Sequence, residues 1–190
     1  MGIAERRNRE RTERERRIVD AARSIAEREG WDAVTIRRLA DEIEYSQPVL
    51  YAHFENRDAI VGAVAVQGFG DLAGILHTAN RQSSTPVEGL ERVATAYLDF
   101  AFARPAMYAA MFVLPSGLRF AEPDAPPALR DAFDALVAVI APFCRDVELA
   151  TETFWAALHG LAALERDGRI RPAFRTDRIN LVVRTIAESR

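Results

Sequence analysis

The sequence predicts an all-α fold, and three observations support this. Apolar residues recur three and four positions apart along most of the chain, which is the spacing of one helical face. Alternating apolar and polar residues, which are typical of a half-buried strand, form no sustained run. Glycine, proline and capping residues stand where helices would begin or end. The chain of 190 residues, of which 49% are hydrophobic, can bury a core for one or two domains.

The first predicted helix runs from about Arg11 to Glu29 and ends at Gly30, a residue common at helix C-termini. Residues 1–17 carry seven Arg and four Glu, a net charge of +3, although the whole chain carries −3. Residues 18–67 carry five Arg and nine acidic residues, a net charge of −4. Taken alone, the charged start is typical of a solvated helix end, and a basic arm that contacts DNA is the alternative.

Residues 35–54 predict two short helices joined by a tight turn. Thr35 can cap the first helix and Ser46 the second, where Pro48 is tolerated because it lies in the first turn. The first helix carries an apolar stripe at helical spacing, formed by Ile36, Leu39, Ala40 and Ile43. This arrangement is typical of a helix-turn-helix, in which the second helix enters the major groove of DNA.

The second short helix is predicted to have one buried side and one polar side. Leu50 and Phe54, four residues apart, form the buried side. Gln47 can bind an adenine edge through two hydrogen bonds, and the hydroxyls of Ser46 and Tyr51 suit phosphate oxygens. These residues therefore predict a surface for double-stranded DNA.

The rest of the chain predicts further helices. Asn56 can cap a helix that continues to about Asn80, and the segment "TPVE" at 85–88 is a capping box. Asp146 and Thr176 are candidate caps of the last two helices. The predicted ranges are 86 to just before 105, 106–112, 127–144, 147–166 and 177–188.

The stretch "TIRRLADEIEYSQPVLYAHFENRDAIVGAV" resembles the DNA-binding domain of the tetracycline-repressor (TetR) family, over roughly residues 12–66. Its most specific part is "LYAHF" followed by "NRDAI", at the spacing found in the family. The resemblance implies an all-helical homodimer with an N-terminal three-helix DNA-binding domain. We accordingly place the arm and helix-turn-helix domain at residues 1–56, and a helical ligand-binding and dimerisation domain at residues 57–190.

The resemblance also implies which residues face DNA or support its binding. Carried over by position, these are Thr35, Arg37, Arg38, Tyr45, Ser46, Gln47, Pro48, Val49, Tyr51 and His53. The family usually has Gly at the position of Glu44 and a small aliphatic residue at that of Tyr45. Glu44 lacks the freedom of glycine at positive φ, and its charge opposes a nearby phosphate. We expect phosphate instead at the basic arm and at Arg37 and Arg38.

The segment "TFWAALHGLAALERDGRI" resembles the ligand-binding portion of one TetR subgroup through the pattern Trp155-x-x-x-His159-Gly160. This resemblance implies a homodimer formed mostly by the last two helices. The expected interface residues lie on apolar faces of those helices: Phe154, Leu158, Leu161, Ile179, Val182, Val183 and Ile186. Such faces also occur where a helix packs into its own core, and the resemblance is what favours dimerisation.

An apolar pocket for a small-molecule effector is expected in the helical body. The candidate lining residues are Phe69, Leu72, Leu76, Phe100, Met107, Met111, Phe112, Phe120, Trp155 and His159. Methionine and phenylalanine side chains together can form an adaptable apolar cavity. Each of these residues could instead belong to the plain core.

Other kinds of site find little support. The segment "GFGDLA" at 68–73 matches a dinucleotide-binding pattern, but it lies within a predicted helix and follows no strand. His53, His77 and His159 have no second ligand at metal spacing. Cys144 lies in no nucleophile motif, so we predict no metal, cofactor or catalytic residue. The single cysteine and the lack of a signal sequence or membrane span favour a cytoplasmic protein.

These observations favour a ligand-responsive transcriptional regulator rather than an enzyme. We expect a repressor that binds a near-palindromic double-stranded DNA operator as a homodimer and is released by a small, apolar effector. The alternative is an all-helical small-molecule-binding protein or enzyme that does not bind DNA. Salt-sensitive binding to duplex DNA would separate the two.

Overall fold

The computed structural model of the protein describes residues 2–118 and 125–188, and it confirms the all-α fold. No strand occurs in these residues, and two short 3-10 turns lie at Trp31–Ala33 and Pro172–Phe174. The α-helices of the described residues are α1 (Ile3–Glu29), α2 (Ile36–Ile43), α3 (Gln47–Tyr51), α4 (Arg57–Arg81), α5 (Pro86–Ala103), α6 (Pro105–Phe112), α7 (Pro127–Ile140), α8 (Val147–Arg166) and α9 (Arg175–Ala187).

The start of α1 differs from the prediction, because the helix begins at Ile3 and not near Arg11. Its first four turns carry no apolar stripe to indicate a helix. They are stabilised instead by ion pairs along the helix, such as Arg11 with Glu15 at 2.9 Å. The charged segment is therefore helical rather than an extended arm.

Two predicted boundaries in the C-terminal half are also wrong. Helix α7 ends at Ile140, two residues before Pro142, whose ring disfavours a helical residue before it. Helix α9 begins at Arg175, so Thr176 lies inside the helix and is not its cap. The predicted cap of α8 is confirmed, since the carboxylate of Asp146 accepts a hydrogen bond from the Leu149 N–H at 3.3 Å.

The described chain forms two compact units. The first contains residues 2–68 and 104–118, and thus α1 to α3, the first half of α4, and α6. The second contains residues 69–103 and 125–188, and thus the rest of α4, α5 and α7 to α9. The predicted boundary after residue 56 divides the chain by function and stays a prediction.

The first unit is built on the apolar face of α1, which contacts both α2 and α6. The side chains that form its core on α1, α2 and α3 are at most 4% exposed: Ile18, Ala22, Ile25, Ala26, Leu39, Ala40 and Leu50. Burying one Leu or Ile side chain contributes about 1.5–3 kcal/mol to the free energy of unfolding. These residues therefore hold the two short helices against α1.

Helix α6 belongs to the first unit through polar contacts with α1 and the turn that follows it. The carboxylate of Glu27 accepts hydrogen bonds from the N–H groups of Ala106 (3.2 Å) and Met107 (3.0 Å). The indole N–H of Trp31 donates to the carbonyl of Ala106 at 2.8 Å. Glu27 thus satisfies N–H groups that the first turn of a helix otherwise leaves without partners.

Two glycines of α4 allow other segments of the first unit to approach closely. A Cβ atom at Gly62 would lie 2.6 Å from the carbonyl oxygen of Ser116. At Gly68, a Cβ atom would lie 2.7 Å from the sulfur of Met111 and 2.9 Å from Cγ of Met107. The glycine that begins "GFGDLA" therefore serves helix packing.

Helix α4 is long and apolar enough to cross a membrane by length and composition, with a mean hydropathy of 1.7 over its most apolar window. The expectation that no segment would reach this level is wrong for α4. Over half of that window, 56%, is buried inside the protein. Burial in the core accounts for this share of its apolar residues.

The second unit packs α5 against α7, α8 and α9. The indole N–H of Trp155 donates to the hydroxyl of Tyr97 at 3.0 Å, so the polar end of a fully buried tyrosine has a partner. Arg175, at the start of α9, lies 2.8 Å from the carboxylate of Asp99 and 3.6 Å from that of Glu165. These contacts fix α9 against α5 and α8.

Candidate nucleic-acid interface

Helix α2 begins at the predicted cap. The hydroxyl oxygen of Thr35 accepts a hydrogen bond from the N–H of Arg38 at 3.1 Å. Leu39 and Ala40, on the apolar side of α2, are buried, whereas Arg37 is exposed. The cap and the buried pair thus set which way Arg37 points.

The turn between α2 and α3 is formed by Glu44 in the left-handed conformation, with φ 57° and ψ 38°. Among residues 2–118 and 125–188, Glu44 is the only residue other than glycine with a positive φ. The N–H of Tyr45 donates to the carbonyl of Ala40 at 3.0 Å, which is the pattern of a helix end that usually contains glycine. A left-handed residue other than glycine costs about 1–3 kcal/mol.

Helix α3 is five residues long and is anchored by Leu50, which is 0% exposed. Ser46 precedes it, but in the described structure its hydroxyl makes no capping bond, contrary to prediction. The reason lies in the next residues. Pro48 has no N–H, and the N–H of Val49 donates to the backbone carbonyl of Ser46 at 3.0 Å. The hydroxyl of Ser46 is therefore left at the surface.

Most of the predicted DNA-facing residues lie at the surface of the first unit. Those classed as exposed are Thr35, Arg37, Ser46, Gln47, Pro48 and Tyr51. Arg38, Tyr45 and Val49 are half-buried. The side chain of Tyr51 is 54% exposed, so its hydroxyl is available to a partner.

His53 does not belong with this exposed group. Its side chain is 7% exposed, and Nδ1 lies 3.3 Å from the carboxylate of Glu15 on α1. A hydrogen bond from Arg11 lowers the pKa of Glu15, burial opposes this, and His53 lowers it further. His53 therefore fastens the segment after α3 to α1.

Arg38 is held within the protein by two carboxylates. Its guanidinium lies 2.7 Å from Glu42 and 3.2 Å from Glu29, and Arg28 contacts the same two residues. Hydrogen bonds to Glu29 and then Glu42 raise the pKa of Arg38. Arg37, by contrast, makes no ion pair within residues 2–118 and 125–188. Arg37 is therefore the freer of the two predicted phosphate contacts.

Arg17 reaches the start of the second short helix from α1. Its Nη1 donates to the hydroxyl of Tyr45 at 3.1 Å, and its guanidinium carbon lies 5.1 Å from the centre of the Tyr45 ring. This distance is in the range of a cation–π contact. The sequence does not predict this pair, because Arg17 on α1 and Tyr45 in the turn between α2 and α3 lie 28 residues apart.

Arg57, the first residue of α4, fixes the segment that precedes α2. Its Nε donates to the carbonyl of Val34 at 2.9 Å, and its Nη2 donates to that of Trp31 at 2.7 Å. Hydrogen bonds from a charged donor are among the stronger ones in proteins. The helix-turn-helix is therefore fastened at both its beginning and its end.

The predicted pocket residues are divided between the two units. Met107, Met111 and Phe112 belong to the first unit. Phe69, Leu72, Leu76, Phe100, Trp155 and His159 belong to the second, and Phe120 lies outside the described residues. Burial lowers the pKa of His159, and the positive charge of Arg166 lowers it further. These assignments leave the pocket a prediction.

The second unit contains a cavity of about 240 Å³ that includes none of the predicted pocket residues. Its lining consists of Asn80, Ser83, Ser84, Thr85, Pro86, Ala138, Val139 and Pro142. Much of this lining is the capping segment that begins α5, where Thr85 and Glu88 form the predicted hydrogen bond at 3.2 Å.

The predicted dimer residues mostly face the core of their own unit. Phe154, Leu158, Ile179, Val183 and Ile186 are at most 6% exposed in the single chain. Leu161 and Val182 are half-buried. An apolar stripe shows that a helix face is covered, but not by which chain, and here the same chain covers it. The exposed apolar residues of the last two helices are instead Leu149, Leu164 and Leu181.

Comparison with known proteins matches both parts of the chain to family descriptions. Residues 18–64 match "Bacterial regulatory proteins, tetR family". Residues 90–187 match "Tetracyclin repressor-like, C-terminal domain". The HTH-type transcriptional regulator Rv0681 of Mycobacterium tuberculosis is 30% identical over 154 residues, which cover 80% of this chain and 69% of that protein.

Solved structures share the fold. The structure of BioQ with its double-stranded DNA operator has a TM-score of 0.65 at 24% identity, covering 91% of this chain and 97% of BioQ. FadR of Bacillus subtilis in complex with stearoyl-CoA has a TM-score of 0.65 at 13% identity, covering 92% of this chain and 98% of FadR. At these identities the likeness concerns the fold alone.

The conformation of Glu44 predicts a stabilising substitution. Glu44→Gly should raise the free energy of unfolding by about 1 kcal/mol, because glycine adopts positive φ without a steric cost. Asp41→Gly, the matched control inside α2, should lower it by about 1 kcal/mol. Chemical denaturation of both variants measures the difference. A loss of stability in Glu44→Gly equal to that in Asp41→Gly would contradict the left-handed turn.

Proposed function

The chain belongs to the TetR family of transcriptional regulators, and we propose that it is a repressor that binds a near-palindromic operator as a homodimer and is released by a small, apolar effector. The observation that carries the proposal is the exposed polar side of α3, with Gln47 at its start and the fully buried Leu50 behind it. A second helix held in this way can enter the major groove.

In the proposed complex, base recognition and backbone contact come from different residues. Gln47 binds an adenine edge, and the hydroxyls of the exposed residues Ser46 and Tyr51 bind phosphate oxygens. Arg37 adds a charged contact to the backbone from α2. Backbone contacts provide affinity that does not depend on sequence, whereas Gln47 provides the choice of base.

The homodimer is proposed to form through the outer faces of α8 and α9. Leu149 is 61% exposed, Leu164 42% and Leu181 60%. Large apolar residues exposed on the same pair of helices favour a surface that a partner covers. A twofold dimer would place two copies of α3 about 34–36 Å apart, one turn of DNA. The operator would accordingly be a near-palindrome.

The effector is proposed to act on the helical body. The predicted pocket residues are apolar or aromatic apart from His159, and FadR, which shares the fold, has been solved with stearoyl-CoA. An effector releases DNA only if it binds the non-binding state of the dimer more tightly than the DNA-binding state. The Trp155 and His159 pattern is proposed to mark the subgroup to which this body belongs.

Selection of bound duplexes from a random DNA pool tests the proposal. We expect enrichment of a near-palindrome whose half-sites lie about 10 base pairs apart, with a dissociation constant of about 10⁻⁸ M or lower. Binding should weaken steeply as salt rises from about 50 to 200 mM. A purified protein that enriches no sequence and binds no duplex at low salt would refute DNA binding.

Replacing the proposed base-reading residue should relax sequence choice. Gln47→Ala should weaken binding to the selected duplex by about 1–3 kcal/mol, with little effect on a scrambled duplex. The matched control is Gln82→Ala, which replaces an exposed glutamine in the loop after α4. It should change the affinity for neither duplex. Fluorescence anisotropy with both duplexes provides the measurement. Equal binding of Gln47→Ala and the control would show that Gln47 reads no base.

A charge on the outer face of α9 should disrupt the dimer. Leu181→Glu should shift the protein to a monomer in analytical ultracentrifugation, because a carboxylate buried at an interface without a partner is costly. Val87→Glu places the same charge on an apolar residue of α5 that is 41% exposed, and it should leave the dimer intact. If Leu181→Glu sediments as the unchanged protein does, the interface lies elsewhere.

A further inference from the structure

We propose that Arg17 is a phosphate contact and that Tyr45 is the positioning residue that holds it beside the start of α3. This inference rests on the proposed DNA binding and adds a residue to it. Arg17 lies on α1, outside the helix-turn-helix, and is exposed. Its guanidinium meets Tyr45, and Tyr45 directly precedes Ser46 at the start of α3. The pair is therefore one residue away from the proposed DNA-reading edge.

The contact with Tyr45 orients the guanidinium without using up its donors. An arginine has five N–H donors, and the structure uses one Nη1 donor of Arg17 for the Tyr45 hydroxyl. Within residues 2–118 and 125–188, Arg17 makes no ion pair with a carboxylate. The donors of Nε and Nη2 are thus available as a fork, the arrangement that suits a phosphate.

Neighbouring arginines on α1 do not share this combination. Arg16 is paired with Glu13 at 2.7 Å, and Arg11 is paired with Glu15 at 2.9 Å. A paired guanidinium would have to leave its carboxylate before it bound a phosphate. Arg17 instead has a neutral partner whose ring attracts the cation from one side. A side chain that is already ordered loses less freedom when it binds.

The same geometry accounts for Tyr45, where the family usually has a small aliphatic residue. A small side chain would offer neither the ring nor the hydroxyl. Arg17 and Tyr45 therefore depend on each other.

A double-mutant cycle with a salt titration tests the inference. Arg17→Gln, Tyr45→Leu, the double variant and the control Arg92→Gln are compared by anisotropy, on the duplex recovered by selection and on its scrambled version. Arg92 lies on α5 and is paired with Glu88 at 2.7 Å. Arg17→Gln should weaken binding to both duplexes by about tenfold. It should also reduce the slope of log K against log salt by about 2, because each subunit of the proposed homodimer loses one phosphate contact. Arg92→Gln should leave the slope unchanged.

The remaining variants separate the effect of the Arg17 charge from the effect of its positioning by Tyr45. Tyr45→Leu should weaken binding less and keep most of the slope, because the charge of Arg17 is still present. The double variant should bind as weakly as Arg17→Gln alone, since Tyr45 acts through Arg17. Arg17→Lys should restore the slope, which a general loss of folding would not allow.

Two results would overturn the inference at different levels. If Arg17→Gln keeps the unchanged protein's slope on both duplexes, Arg17 contacts no phosphate, although the proposed function stands. If Arg17→Gln and Tyr45→Leu have additive effects, Tyr45 does not act through Arg17. If the unchanged protein itself binds neither duplex, the proposed function fails first.

Discussion

A helix of five residues is not stable in isolation, so the surface offered to DNA depends on the contacts behind α3. Leu50 provides the main one, since it is fully buried against the rest of the first unit. The left-handed conformation of Glu44 sets the direction in which the chain enters α3, and Arg57 fixes the segment before α2. None of these contacts involves the side chain of Gln47, which is exposed. The polar side of α3 can thus be rigid and still be free of partners among the residues that the structure describes.

The distribution of charge in residues 18–67 also favours the binding of a phosphate by Arg37. Residues 18–67 carry a net charge of −4, which by itself opposes DNA. Several of the acids are occupied, however, since Glu29 and Glu42 both contact Arg28 and Arg38. Glu42 illustrates the balance, because burial alone would raise its pKa while hydrogen bonds and charge from the two arginines lower it. The carboxylate therefore stays ionised and paired, and the outward arginine Arg37 faces fewer free negative charges.

The features that sequence reasoning predicted are local in the chain. The caps at Thr35 and Asp146 each involve residues three positions apart, and their chemistry is visible in the sequence. The pairing of His53 with Glu15 spans 38 residues, and no spacing rule connects them. The predicted dimer residues stay a prediction, because an apolar stripe looks the same whether its own chain or a second copy covers it. The early start of α1 was missed because ion pairs, rather than an apolar stripe, accompany its first turns.

The two compact units are defined by contacts between residues. They show why a domain boundary placed at the end of the helix-turn-helix motif is incomplete. The helix-turn-helix ends near residue 56, yet α6 belongs to the same compact unit although it begins at Pro105. Glu27 and Trp31 direct their polar atoms at the first residues of α6, and both lie on or just after α1. Without α6, the carboxylate of Glu27 would lose two hydrogen bonds and the buried indole N–H of Trp31 its acceptor, at about 1–3 kcal/mol for a buried donor left unpaired. The segment that presents α3 therefore relies on a helix far along the chain, and the recognition surface is stable only as part of the larger unit.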